Sequence, residues 1–360
     1  MRYPHLRPHR GVLMVAVGAI LLGAILSPAT ARADAAAGLP RSTPWIVTLG
    51  DSAISGEAGR WAGNTNTGPS RVDALGITAY NDTPGRVAEQ IPGCNRSASA
   101  EAYIGGQVSG LNLACSGART DTFTESDGSF KPGLDFYTDT SGHQGQARML
   151  QNFAGNHDVK AVVVLIGANN YQFANIVQTC VLDWYFTTSL TPRYCKDDST
   201  LSADFSAANY TLQAAKLTKA LSNVHQAMTK AGYRDGDYTI LAQTYSTPIP
   251  DGGGFRYPET TLKRQTVGGC GIWNQDADWV NETVVPWMNN TIRTAVAWSR
   301  LANVKILDAQ NALVGHRLCE KTDGLLEEED VPSWTSPSAA DHSEWVSQVR
   351  TSSTEPPRVR

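Results

Sequence analysis

The sequence predicts an α/β domain built on a parallel sheet, and three observations lead there. The first is Ala161-Val162-Val163-Val164-Leu165-Ile166, a continuous apolar run closed by Gly167. A strand that is apolar on both faces belongs in a sheet covered on both sides, which is the setting of parallel strands. The second is alternation. Short apolar runs at 45–49, 110–115, 161–166, 238–244 and 304–307 are interleaved with helical spacing at 144–153, 207–231 and 276–301. This is the pattern of β-α-β units with right-handed crossovers. The third is that three of the runs end in small or polar residues: Gly50-Asp51-Ser52, Ser116-Gly117-Ala118 and Gly167-Ala168-Asn169-Asn170. In a parallel sheet those ends share one edge, and open α/β sheets carry their sites there.

In chain order, residues 1–33 read as a secretory signal. Arg2, Arg7 and Arg10 are basic, Gly11 to Leu26 is apolar, and Ala31-Arg32-Ala33 is a small-x-small cleavage site before Asp34. The apolar stretch is short for a membrane span. A secreted protein without a stable membrane anchor is therefore expected, and a monomer. Removing the signal takes away four arginines and no acids, so the net charge of −4 becomes −8. Such a charge gives no basis for a nucleic-acid partner. The composition, 41% hydrophobic and 18% charged, is that of a globular chain with ample core.

Residues 34–44 read as a mature N-terminal tail and 45–49 as the first strand. Residues 53–82 read as loop, Gly85 to Ile91 as a short helix, and 119–142 as loop again. Residues 171–205 form a long connection, a lid or side wall. Residues 246–271 are a Pro/Gly-rich loop. Pro286 is expected to kink or split the helix over 276–301. The acidic run Glu327-Glu328-Glu329-Asp330 reads as a solvated loop, and the tryptophans, among them Trp61, Trp184, Trp273, Trp279 and Trp287, as core or pocket walls.

Six cysteines follow the signal: Cys94, Cys115, Cys180, Cys195, Cys270 and Cys319. An even number behind a secretory signal reads as disulfides. Fifteen pairings are open. Sequential pairing closes the shortest loops and is the expected one. No cysteine or histidine spacing matches a metal site, so neither a metal nor an organic cofactor is expected.

The three strand ends supply a serine hydroxyl, a glycine N–H and an asparagine amide. Acyl transfer needs these parts: one attacking hydroxyl, and donors aimed at the developing oxyanion. Together, and in this order, the motifs resemble those of the SGNH (GDSL) hydrolase family, in its secreted actinobacterial branch, from about residue 43 to 347. The resemblance implies a flavodoxin-like three-layer sandwich with a central, about five-stranded parallel sheet. It gives Ser52 the nucleophile role. It assigns the oxyanion hole to the N–H groups of Ser52 and Gly117 and the side-chain amide of Asn169. Asn170 stands where the family usually has aspartate. The implied activity is a serine esterase or lipase acting on a small ester, a lipid or an acylated glycan. A carbohydrate O-deacetylase is the alternative of the same fold.

The family's base is a histidine near the C-terminus, in Asp-x-x-His or a variant. His143 and His157 precede the third motif, His225 falls within a helix, and His316 lies early. His342 is in the right region, but Ala339 stands three residues before it and no proline follows. Residues 348–360 are polar, Pro-rich and basic, unlike the fold. The sequence therefore sets a second expectation beside His342 as base: a domain incomplete at its C-terminus, without the base and catalytically impaired. In that case only Glu344 to Arg350 could be helical after the last strand, and bare apolar sheet surface is expected beside the first.

Overall fold

Strand β1 (Pro44–Gly50) is buried from Ile46 onward. In a computed structural model of the protein, it lies inside a five-stranded sheet. The structure describes residues 43–57, 76–266, 270–315 and 317–321. They belong to one compact unit, Arg41–Arg360. The signal segment 1–33, Trp61, His316, the acidic run, His342, the 344–350 segment and the tail 348–360 lie outside the described residues.

Helix α1 (Ser52–Ser55) follows β1 at once, and the Asp51 carboxylate caps it by accepting the Ala53 N–H at 3.2 Å. The next strand is β2 (Ser109–Asn112). The helix expected at 85–91 does not form. Gly85 and Arg86 both have left-handed backbones, at φ 92° and 53°. The N–H groups of Val87, Ala88 and Gln90 are taken by Thr83 and Asp82 side chains instead of helix carbonyls. The 119–142 stretch holds a small hairpin, β3 (Phe123–Thr124) and β4 (Phe130–Lys131). Then come α2 (Gln146–Ala154) and β5 (Asp158–Leu165).

The connection expected over 171–205 contains α3 (Phe173–Phe186) and α4 (Ser199–Ala203). Helix α3 is apolar on most of its circumference, so no polar stripe marked its period. After it come α5 (Ala207–Lys230), β6 (Thr239–Gln243), the short α6 (Lys263–Thr266) and α7 (Asn274–Trp279). A wider π turn (Val280–Val284) leads into α8 (Val285–Ser299), and β7 (Val304–Leu307) closes the sheet. The helix is split just ahead of Pro286, which lacks the N–H that continuing the α pattern requires.

All five strands are parallel, in the order β2-β1-β5-β6-β7. The chain starts at β1, steps out to β2, returns past β1 to β5 and continues to β6 and β7. The direction of travel reverses beside β1, so the switch point lies between β1 and β5. This is the flavodoxin-like order, and such a sheet opens a crevice at its switch point, beyond the carboxyl ends of the strands.

Helices α5 and α8 pack on the face bearing Val164 and Ala242, where Leu217, Leu221, Ile292 and Ala295 meet them; α2 packs beside α5 in the same layer. The opposite face carries α1 and the segment around Glu101, which reaches Gln243. Among the described residues beside β1, Val47 and Leu49 on the α5 face and Thr48 on the other are fully buried. Leu241 and Leu307, farther along the sheet, are half-buried. Disulfides join Cys94 with Cys115, Cys180 with Cys195, and Cys270 with Cys319, the three sequential pairs.

Candidate active site

Ser52 is half-buried at the first position of α1, immediately past β1. Gly50 sets the angle at which the chain leaves the strand. Its φ is 144°, and a Cβ placed there would lie 1.8 Å from the Leu165 carbonyl oxygen. No residue but glycine fits. The Asp51 N–H donates to that same oxygen at 3.1 Å, so the ends of β1 and β5 stay joined across the switch point. Gln146, fully buried at the start of α2, brackets Gly50. It accepts the Gly50 N–H at 2.7 Å and donates to the Gly50 carbonyl at 2.8 Å.

The second motif is tied to the first. The Cys115 N–H donates to Gly50 O at 3.0 Å, and Ser116 Oγ to the Glu57 carboxylate at 2.9 Å. The buried Arg96 guanidinium holds the Leu113 and Ala114 carbonyls at 3.0 and 2.7 Å. Gly117 follows with φ 78° and is half-buried; a Cβ there would meet the Lys131 stem at 3.2 Å. The third motif is tied to the second. Asn169 Nδ2 donates to Ala118 O at 2.9 Å. Asn170 accepts the Thr120 N–H at 3.2 Å, and donates to Thr120 Oγ1 at 3.0 Å and to Gln213 at 3.1 Å. With asparagine in place of aspartate, position 170 acts as both acceptor and donor in this clasp.

A fourth strand end completes the frame. Tyr245, just past β6, donates its hydroxyl to Asp51 Oδ2, and its oxygen accepts the Ala168 N–H at 2.9 Å. Burial pushes the Asp51 carboxyl up to about 7, against the Tyr245 and Ala53 hydrogen bonds that favour the ionised form. Burial, then the neighbouring Asp51, push the Tyr245 phenol well above its usual range, so it serves as a donor. Asn289 of α8 fixes Tyr245 in turn, accepting its N–H at 2.7 Å and donating to its carbonyl at 2.9 Å.

Comparison with protein-family models and with curated proteins gives no match. Among solved structures the chain is similar to an extracellular lipase from Streptomyces rimosus, 17% identical, covering 87% of this chain and 100% of that chain, with a TM-score of 0.43. It is also similar to phospholipase A1 from Streptomyces albidoflavus, 18% identical, covering 86% and 99%, with a TM-score of 0.43. A family two carbohydrate esterase from Clostridium thermocellum is 13% identical, covering 87% and 64%, with a TM-score of 0.39.

The described residues contain three histidines, and each has another engagement. His143 Nδ1 meets Asp139 at 2.8 Å and its ring stacks on Phe130. His157 precedes β5, at the opposite edge of the sheet from Ser52, and stacks on Phe153. His225 on α5 meets Asp235 at 2.7 Å. The three ligand-type groups that cluster among the described residues are Cys180, Cys195 and Asp276. Both sulfurs are in a disulfide, so they offer no thiolate to a metal. Trp184 packs against Trp273, which also meets Tyr194, while Trp279 and Trp287 pack on Phe205 and Trp287 on Tyr210.

Gln146, Arg96 and Tyr245 were not legible as site residues in the sequence. Each acts on a loop remote in the chain, and no local pattern marks such a contact.

Proposed function

We propose that this chain is a secreted serine ester hydrolase of the SGNH type. Ser52 attacks the ester carbonyl. The N–H groups of Ser52 and Gly117 and the Asn169 amide stabilise the oxyanion, and water then releases the acyl group from Ser52. His342 takes the Ser52 proton. The observation that carries the reading is the switch point. Ser52 leaves β1 and Asn169 leaves β5 on its two sides, and the neighbours of Gly117 are tied to both, the Cys115 N–H donating to Gly50 O and the Ala118 carbonyl accepting from the Asn169 side-chain amide.

The test is hydrolysis of p-nitrophenyl butyrate by the secreted protein, with Ser52→Ala and His342→Ala beside it. Both variants are expected to fall to the residual ~10³–10⁴ over water that an oxyanion hole and binding provide. Activity lost in Ser52→Ala and kept in His342→Ala removes His342 from the mechanism. Activity kept in Ser52→Ala ends the reading. Tributyrin against acetylated xylan separates an esterase or lipase from a carbohydrate O-deacetylase. Secretion is tested by N-terminal sequencing of the exported protein, expected to begin at Asp34.

A further inference from the structure

Lys131, at the end of β4, is the one buried lysine among the described residues, 7% exposed. Its ammonium donates to the Gly93 carbonyl at 2.9 Å. No carboxylate among the described residues forms an ion pair with it, unlike Lys160, Lys196 and Lys219. Burying an ammonium is costly, and a single carbonyl offsets that cost only in part. The surroundings of Gly117 supply a reason for it. A Cβ built at Gly117 would lie 3.2 Å from Lys131 Cε and 3.5 Å from its Cδ, so the lysine stem runs along the Gly117 turn. Gly93 precedes Cys94, whose carbonyl accepts the Ser116 N–H at 2.9 Å and whose sulfur is bonded to Cys115. Lys131 therefore links one side of the Gly117 turn to the segment from which that turn hangs. Among the described residues the Gly117 N–H donates to no protein group, which leaves it available to a ligand.

The lysine reaches from a fixed base. Lys131 pairs with Phe123 across the β3–β4 hairpin. The residues after it are buried and bonded: Pro132 O accepts Gln146 Nε2 at 2.8 Å, the Gly133 N–H donates to Thr122 Oγ1 at 2.9 Å, and the Leu134 N–H donates to Thr120 O at 3.0 Å. Gln146 also holds both sides of Gly50. Residues 131 and 132 are thus tied to the turns that carry Gly117 and Ser52. Two carboxylates face the Gly117 turn as well. Glu125 Oε1 would lie 3.5 Å from a Cβ at Gly117, and Glu57 accepts from Ser116 Oγ at 2.9 Å. Their negative charge opposes an oxyanion. Glu125 is exposed and screened by solvent, whereas the Lys131 side chain is buried and screened less. A charge-assisted bond to a carbonyl is also stronger than a neutral one.

We propose that Lys131 is a positioning residue for the hydrolysis. It anchors the Gly117 turn to Gly93, keeps the Gly117 N–H aimed at the oxyanion, and offsets the carboxylates of Glu57 and Glu125. The proposal deepens the ester hydrolase reading and rests on it for the kinetic consequence; the anchor needs no chemistry.

The test is Lys131→Met in the full secreted protein, which keeps most of the stem and removes the donor and the charge. With p-nitrophenyl butyrate, kcat is expected to fall by about 10–10² with KM unchanged. The urea midpoint is expected to stay at or above that of wild type, because an apolar group replaces a buried ammonium. Hydrogen exchange followed by NMR reads the anchor without chemistry. The Ser116 N–H, bonded to Cys94 O, is expected to exchange at least tenfold faster in the variant, and the Val163 N–H in the core of the sheet at the wild-type rate. A wild-type kcat, or unchanged Ser116 exchange, overturns the proposal. So does a fall in kcat matched by a fall in the urea midpoint, which makes Lys131 merely structural. If wild type shows no ester hydrolysis while Lys131→Met speeds Ser116 exchange, the hydrolase reading fails and the anchor stands.

Discussion

Tyr245 donates its phenolic hydrogen to the carboxylate of Asp51, and with the same oxygen accepts the backbone N–H of Ala168. One buried hydroxyl thus holds the residue before the proposed nucleophile and the residue before the proposed oxyanion amide. Those two residues follow different strands, β1 and β5.

Tyr245→Phe keeps the ring and removes the bridge. It leaves the Ala168 N–H and one Asp51 oxygen buried without this partner, which costs about 1–3 kcal/mol. The variant is expected to unfold at lower urea concentration. If the bridge sets the reacting geometry, kcat for p-nitrophenyl butyrate falls by about 10–10², with KM little changed, because small displacements of reacting groups are felt in the transition state. Equal destabilisation with unchanged kcat would reduce the bridge to a structural tie.

Gly50→Ala tests the departure angle of the chain from β1. The added methyl group meets the backbone oxygen of Leu165, and Ile54 Cγ2 at 2.8 Å, in a conformation that alanine avoids. Backbone atoms have nowhere to move without breaking the β1–β5 ladder. A loss above about 4 kcal/mol is expected, seen as little soluble protein or as a large fall in Tm. A variant with wild-type Tm would show that the β1–β5 junction can relax.

The sheet and the three strand ends were legible because glycine punctuates them. The β5 run and the Gly50, Gly117 and Gly167 turns are local signals, and so is the shortest-loop pairing of the cysteines. Helix α3 was not legible, because Phe173, Ile176, Val177, Val181, Leu182 and Tyr185 surround it with apolar groups and leave no period to read. The supports of the site were illegible for a different reason. Gln146 reaches Gly50 across 96 residues of chain, and Tyr245 reaches Asp51 across 194. Only the folded topology brings such pairs together.

Three buried carboxyls give stability a defined pH dependence. Burial pushes Glu101 up to about 8, Asp51 to about 7 and Asp276 to about 6, each from an ordinary value near 4. The folded state therefore binds more protons than the unfolded state between pH 4 and 8, and stability must fall as pH rises through that window. Glu101 is the cleanest probe. It is 1% exposed and touches Gln243 Nε2 at 3.2 Å. Glu101→Gln removes its titration. Its urea midpoint is expected to exceed that of wild type at pH 8 and to change less between pH 6 and 8. Parallel curves for the two proteins would mean that Glu101 is ionised throughout.

Asn169 offers the sharpest separation of chemistry from structure. Its amide nitrogen donates to Ala118 O at 2.9 Å and carries a second hydrogen. Under the proposed mechanism the first bond positions the group and the second hydrogen meets the oxyanion. Asn169→Ala removes both. The lost structural bond is worth about 1 kcal/mol, whereas one oxyanion donor is worth about 10²–10³ in kcat. Asn169→Asp should be slower still, because it sets a negative charge where negative charge must develop. The measurement is kcat and the urea midpoint of each variant side by side. A rate loss no larger than the stability loss predicts would leave Asn169 a clasp between two loops, and the oxyanion would need another donor.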